Sequence, residues 1–161
     1  MDFDAKDFRH ALGRFATGIM VVTGVGRDGR PVGVTVNAFS SVSLDPPLVL
    51  FCLGRQASTY SALAEGERFA VNILAEDQRA LSDRFAGKAE DKFAGLDYEQ
   101  GAGGCPLLAG ALGWLECRRE ATHDGGDHGI VVGRVEGLRA GGDGRPLLYF
   151  RGAYRTLGPD L

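Results

Sequence analysis

The chain is expected to be mainly β, an antiparallel barrel with two or three helices packed outside it. Short β-branched segments recur with a two-residue period, turn signals separate them, and the 25 glycines fall between those segments instead of forming a low-complexity block. At 161 residues the chain fits one domain, 1–161, large enough for a real hydrophobic core.

An opening helix is expected from Asp4 or Asp7 as N-cap, with Phe8, Leu12 and Phe15 at helical spacing, Gly18 as the stop and one apolar face laid on the sheet. Residues 19–25 are β-branched and strand-like, Asp28-Gly29 marks a hairpin turn, and 30–39 returns as the next strand. Pro46-Pro47 interrupts pairing before a buried strand over 48–53. Ser58 is placed to cap a short helix through Leu63 and Ala64 that ends at Gly66, and 69–74 is again a strand. A second helix over 77–85 sets Leu81 and Phe85 one turn apart, with Gly87 ending it. After a loop at 101–104 come strands at 111–122, 130–138 and 147–154, separated by the loops 123–128 and 141–144.

The net charge of -3, with scattered Lys and Arg, leaves no basic stripe for nucleic acid. Apolar runs such as 48–53 are too short to cross a bilayer, and the amino terminus MDFDAKDF is acidic where a leader would be basic, so a cytoplasmic protein is expected. Cys52, Cys105 and Cys117 are odd in number and form no CxxC pair, so they read as small buried apolar residues.

The run from Gly33 to Leu53, GVTVNAFSSVSLDPPLVLFCL, offers Thr35, Asn37, Ser40, Ser41 and Ser43 among apolar residues with a single charge, Asp45. Alternation of Val34 and Val36 with Thr35 and Asn37 puts one face in a core and leaves neutral hydroxyl and amide groups on the other. Such a face suits a flat, uncharged, polar-edged ring, although a strand with one solvated face has the same pattern. Residues 24–29 match GxGxxG, but a strand follows where a dinucleotide fingerprint needs a helix, so they read as a hairpin turn. His123, Asp124, Asp127 and His128 fall among glycines in one loop, which fits a plain hairpin, a metal site or a loop lending His128 to a ligand. No metal site is expected there, for no helix-borne histidine pair or cysteine joins the set. Ser58 and Lys92 are candidate phosphate contacts, each also readable alone as an ordinary cap and an ordinary solvated charge. No serine lies in a GxSxG turn, so nucleophilic catalysis finds no support.

Through FRHALGRFATGIMVVT, GVTVNAFSSVSLDPPLVLFCL, FAVNIL, LSDRFAG with DKF, PLLAGALGWLEC, GGDH and PLLYFRGAY, the chain resembles the short-chain flavin reductase family over nearly its whole length. The resemblance implies an FMN-binding split barrel, an antiparallel fold of Greek-key type, that works as a homodimer and passes hydride from NADH or NADPH to FMN or FAD. Reduced flavin would then go to a partner flavin-dependent monooxygenase. It further implies that Thr35, Val36, Asn37, Ala38, Ser40 and Ser41 line the isoalloxazine and ribityl region beside Phe51, Cys52 and Leu53. Ala57 and Ser58 would form the phosphate end, with Lys92 and Phe93 as the distal anion contact. His128, the one catalytic residue implied, would orient the nicotinamide or cover the ring stack, bordered by Tyr149, Phe150, Arg151 and Gly152. Ala38 departs from the family, where serine is frequent. A tightly flavin-bound reductase of a corrinoid or ferric chelate, and a flavin-binding protein without turnover, are the alternatives. Arg27, Arg55, Arg118 and Arg151 are candidates for the 2′-phosphate of NADPH.

Overall fold

Asp4 starts the first helix by a reciprocal cap: its carboxylate accepts from the N–H groups of Lys6 and Asp7 at 2.7 and 2.9 Å, while the Asp7 carboxylate accepts from the Asp4 N–H. In this computed structural model, which describes residues 2–159, helix α1 spans Ala5–Leu12 and ends at Gly13, short of the expected Gly18. It buries no residue, and Phe8, Leu12 and Phe15 are 52%, 57% and 75% exposed. The expected packing of this helix on the sheet does not occur, because Ile19 and Val21 are covered instead by Leu81 and Phe85 with Tyr149 and Tyr154.

In chain order the remaining elements are β1 (Thr17–Gly18), β2 (Met20–Val25), β3 (Pro31–Val36), β4 (Phe39–Leu44), β5 (Pro47–Gly54), α2 (Tyr60–Ala64), β6 (Arg68–Ile73), α3 (Arg79–Ala86), β7 (Tyr98–Gln100), β8 (Pro106–Leu108), β9 (Gly113–Gly125), β10 (His128–Ala140), β11 (Leu148–Phe150) and β12 (Ala153–Arg155). Seven strands form one antiparallel sheet in the order β3-β2-β6-β9-β10-β5-β4. The sheet curls so that β3 returns against β5. Val22, Val36, Val49, Phe51, Phe69, Cys117 and Val131 from six strands fill the interior, which is the mainly β barrel expected. A second core under α3 joins Ile19, Val21, Leu74, Phe85, Phe93, Leu108 and Leu147. Two small sheets, β1-β11-β12 and β7-β8, flank the barrel.

Four local expectations are corrected. The strand over 30–39 breaks at Asn37 and Ala38, where the chain leaves β2 and starts β4 beside β5. The strand over 147–154 is a hairpin turning at Arg151 and Gly152; Arg151 adopts φ +52°, and its N–H donates to the Gly13 carbonyl at 2.9 Å. The loop at 123–128 is mostly strand, turning only at Gly126 and Asp127, because ladder pairing with β10 runs out to Gly125. Thr59, not Ser58, precedes α2, and its side chain makes no cap hydrogen bond.

Candidate functional site

Strand alternation sorts the expected site residues before any ligand is considered. Val36, Phe51 and Leu53 point into the barrel, 7%, 0% and 3% exposed, so their side chains are withdrawn from any ligand. Between them Cys52 faces outward and half-buried; its N–H donates to the Ala38 carbonyl at 2.9 Å, and Ile130 lies opposite it on β10. Ala38, Ser40 and Ser41 are exposed, with the Ser40 hydroxyl donating to the Ser41 carbonyl at 2.9 Å. A neutral strip through Ser40, Cys52 and Ile130 thus crosses β4, β5 and β10, while Ser41, paired with the inward-facing Val49, lies on the other face of β4.

His128 closes one end of the strip. It is paired with Gly54, and its Nε2 stands 3.7 Å from where a Cβ on Gly54 would lie. Its Nδ1 lies 2.8 Å from Asp127 Oδ1, and that contact with the imidazole holds the Asp127 carboxyl below its usual range. With the carboxylate as acceptor, Nδ1 carries the proton and Nε2 faces the site. From Gly54 the chain turns, Ala57 N–H donating to the Gly54 carbonyl at 3.0 Å, and delivers Ser58 and Thr59 to a cavity.

That cavity, about 610 Å³, is lined by Arg30, Gly33, Ser58, Thr59, Glu90, Asp91, Lys92 and Phe93 among others, so three of the expected phosphate-end residues do meet. Gly33 matters sterically: a Cβ there would lie 2.6 Å from Phe85 Cε1 and 3.3 Å from Phe93 Cζ. Phe93 is held edge-on between Phe85 and Tyr98, with ring centres 5.0 and 5.4 Å away. Lys92 Nζ donates to the Phe85 carbonyl at 2.8 Å, forms no ion pair among the described residues, and has its pKa lowered by partial burial. Thr59, which the sequence reading missed, is 8% exposed, and its hydroxyl has no partner among the described residues. The Asp91 carboxylate is taken up by the Phe93 and Ala94 N–H groups, so the cavity holds a buried hydroxyl and a lysine that an anionic oxygen would complete. An elongated ligand with a neutral ring and an anionic tail fits this arrangement, since the strip carries no charge and the cavity offers Lys92 and Arg30.

Other expected contacts lie elsewhere. The Thr35 hydroxyl donates to the Ser82 carbonyl at 2.6 Å, so it serves α3 and not the strip. Asn37 Nδ2 donates to Thr17 Oγ1 at 3.4 Å, and Thr17 pairs with Tyr149. Through these two residues the hairpin holding Tyr149, Phe150, Arg151 and Gly152 joins the strip; no hydrogen bond or ion pair ties it to His128 among the described residues. Tyr154 from the same hairpin links Ser82 Oγ and Asp83 Oδ1, each at 2.9 Å. Of the four arginines considered for a 2′-phosphate, Arg27, Arg55 and Arg118 pair with Glu65, Asp124 and Glu67, while Arg151 stacks over Phe150 at 5.0 Å.

A family model described as "Flavin reductase like domain" matches residues 12–158. The chain is 42% identical over 157 residues to HsaB of Rhodococcus jostii, the reductase subunit of a flavin-dependent monooxygenase, spanning 98% of this chain and 80% of that protein. It is 47% identical over 154 residues to the FMN reductase (NADH) SmoA of Agrobacterium fabrum, spanning 94% and 85%. Among solved structures it is similar to the NADH:FAD oxidoreductase SgcE6 of Streptomyces globisporus C-1027 in complex with NAD and FAD fragments, with TM-score 0.91, 38% identity and 99% and 98% coverage.

Proposed function

Since the chain belongs to the flavin reductase-like domain family, we propose that residues 1–161 form one catalytic domain that reduces FMN or FAD with NADH or NADPH and hands reduced flavin to a separate monooxygenase component. The observation that carries this reading is the cavity lined by Ser58, Thr59 and Lys92, in which the Thr59 hydroxyl has no partner among the described residues. Bound flavin supplies a hydride acceptor at N5 for the nicotinamide C4. The chain's own task is to hold and align two rings, which needs no acid and base pair. Thr59, Ser58 and Lys92 take the flavin phosphate. Ala38, Ser40 and Cys52 give the ring a neutral bed, with Val36, Phe51 and Leu53 behind it. His128, oriented by Asp127, offers Nε2 to the nicotinamide, with Tyr149 to Gly152 bordering the same region.

The working unit is a homodimer. Support comes from α1, where Phe8 and Leu12 stay 52% and 57% exposed, and from Leu44, 95% exposed at the end of the edge strand β4. No helix among the described residues is long and apolar enough to cross a membrane. Three free cysteines fit the reducing cytoplasm.

The decisive experiment mixes purified protein with FMN or FAD and follows NADH and NADPH oxidation at varied flavin concentration. Turnover that saturates in added flavin is expected, and no oxidation with any of the four pairs overturns the reading.

A further inference from the structure

The tip of the β9–β10 hairpin poses a mechanical problem. Every residue from His123 to His128 is exposed, so no apolar packing holds the segment that carries the imidazole. A two-stranded ribbon is marginal by itself in water. Pairing with β5 ends at Gly54, level with His128, and cannot restrain the turn beyond it.

Arg55, the next residue, reaches across that gap. Its main-chain N–H donates to the Asp127 carbonyl at 3.0 Å, Nε donates to the Gly126 carbonyl at 3.0 Å, and Nη2 donates to Asp124 Oδ1 at 2.5 Å. Its third nitrogen, Nη1, donates to the Tyr60 hydroxyl at 3.2 Å, with the guanidinium 5.9 Å from the centre of that ring. Tyr60 in turn sits so close over Gly129 that a side chain there would collide with its hydroxyl. One rigid fork therefore joins the turn, the strand before it and helix α2. Asp127 is the shared member: its main chain is fixed by Arg55 and its carboxylate by His128.

We infer that Arg55 is a positioning residue for His128, acting by clamping residues 124–127, and not a reader of the 2′-phosphate of NADPH. The inference rests on the reading that His128 meets the nicotinamide. A 2′-phosphate reader needs a guanidinium free to turn to its ligand, whereas each of the three Arg55 nitrogens already donates to a protein acceptor, which fixes the plane of the fork. A phosphate arriving there would also bring its charge beside the carboxylates of Asp124 and Asp127.

The test compares wild type with Arg55→Met, Arg55→Lys, Asp124→Asn, His128→Ala and the Arg55→Met/His128→Ala double variant. Initial rates at saturating flavin give kcat/KM for NADH and for NADPH, and fluorescence titration gives the flavin Kd. Arg55→Met is expected to lower kcat/KM about tenfold through KM, by the same factor for both donors, as loss of a charge-assisted network predicts. The flavin Kd stays unchanged, Arg55→Lys recovers part of the loss, and Arg55→Met adds nothing in the His128→Ala background. Should Arg55→Met fold poorly, Asp124→Asn weakens the clamp from the other side and is expected to act equally on both donors. A loss confined to NADPH, a full additional loss without His128, or an equal weakening of flavin each overturns the inference. If His128→Ala itself leaves the nicotinamide KM unchanged, the underlying reading of His128 fails, which that variant shows without reference to Arg55.

Discussion

Thr35 Oγ1 donates to the main-chain carbonyl of Ser82 at 2.6 Å, tying β3 to α3 behind the neutral strip. The hydroxyl that sequence alternation offers to a ligand is therefore engaged inside the protein. Ser82 is fully buried and also meets Tyr154, so strand, helix and carboxyl-terminal hairpin converge at one point.

Thr35→Val is accordingly expected to lower unfolding stability by about 1 kcal/mol, the usual net worth of such a bond. Urea unfolding measures this, and flavin titration should show a change of less than about threefold in affinity. A loss of flavin affinity larger than the loss of stability would return the hydroxyl to the ligand.

Thr59→Val should behave in the opposite way. Removing an unpartnered buried hydroxyl at nearly constant shape is expected to stabilise the flavin-free protein by about 1 kcal/mol. FMN affinity should fall about tenfold if that hydroxyl meets the phosphate, while riboflavin, which has none, binds as before. Equal losses for the two flavins would remove Thr59 from the phosphate site.

Gly33→Ala tests the cavity wall. The new methyl group meets the edges of Phe85 and Phe93, two rings locked by edge-on packing, so neither can swing aside. Overpacking of this kind costs about 1–3 kcal/mol. A lower urea midpoint together with weaker FMN binding is expected; wild-type values for both would mean that the rings yield.

Alkaline conditions should expose the buried thiols. Burial pushes Cys105 up to about 11 and Cys117 up to about 12, from an ordinary value of 9.0. The folded protein keeps two protons that the unfolded chain releases above pH 9, so this contribution is fully present below pH 9 and is lost as pH rises toward 11 and 12. Urea unfolding between pH 8 and 11 should show the decline, and a Cys105→Ala/Cys117→Ala variant should show a flatter one. Parallel pH profiles for the two proteins would contradict the assignment.

Local chemistry made most of the barrel legible. The β-branched run at 19–25, the Asp28-Gly29 turn and the continuous apolar run at 48–53 each specify a strand or its end through steric preference and burial, which act over a few residues. Helix α3 was equally readable from Leu81, Phe85 and Gly87. The errors fell where neighbours distant in sequence decide. Residues 147–154 look like one strand, yet Arg151 is turned into a positive-φ hairpin anchored on Gly13. Helix α1 has the amphipathic spacing of a packed helix, but α3 and the β11–β12 hairpin already cover the sheet face available to it.

The same division runs through the site. The chain by itself determined the residue types at hand: a neutral polar strand run, a lysine, a histidine beside an aspartate, and the family to which their order belongs. Only the tertiary structure decided which of those groups remain free. Thr35 is spent on Ser82, Arg55 on the hairpin tip, and Thr59, unremarked in the sequence, keeps a buried hydroxyl without a partner among the described residues. Composition and periodicity record what a side chain offers, whereas hydrogen bonding between residues 47 or 69 positions apart settles what is left for a ligand.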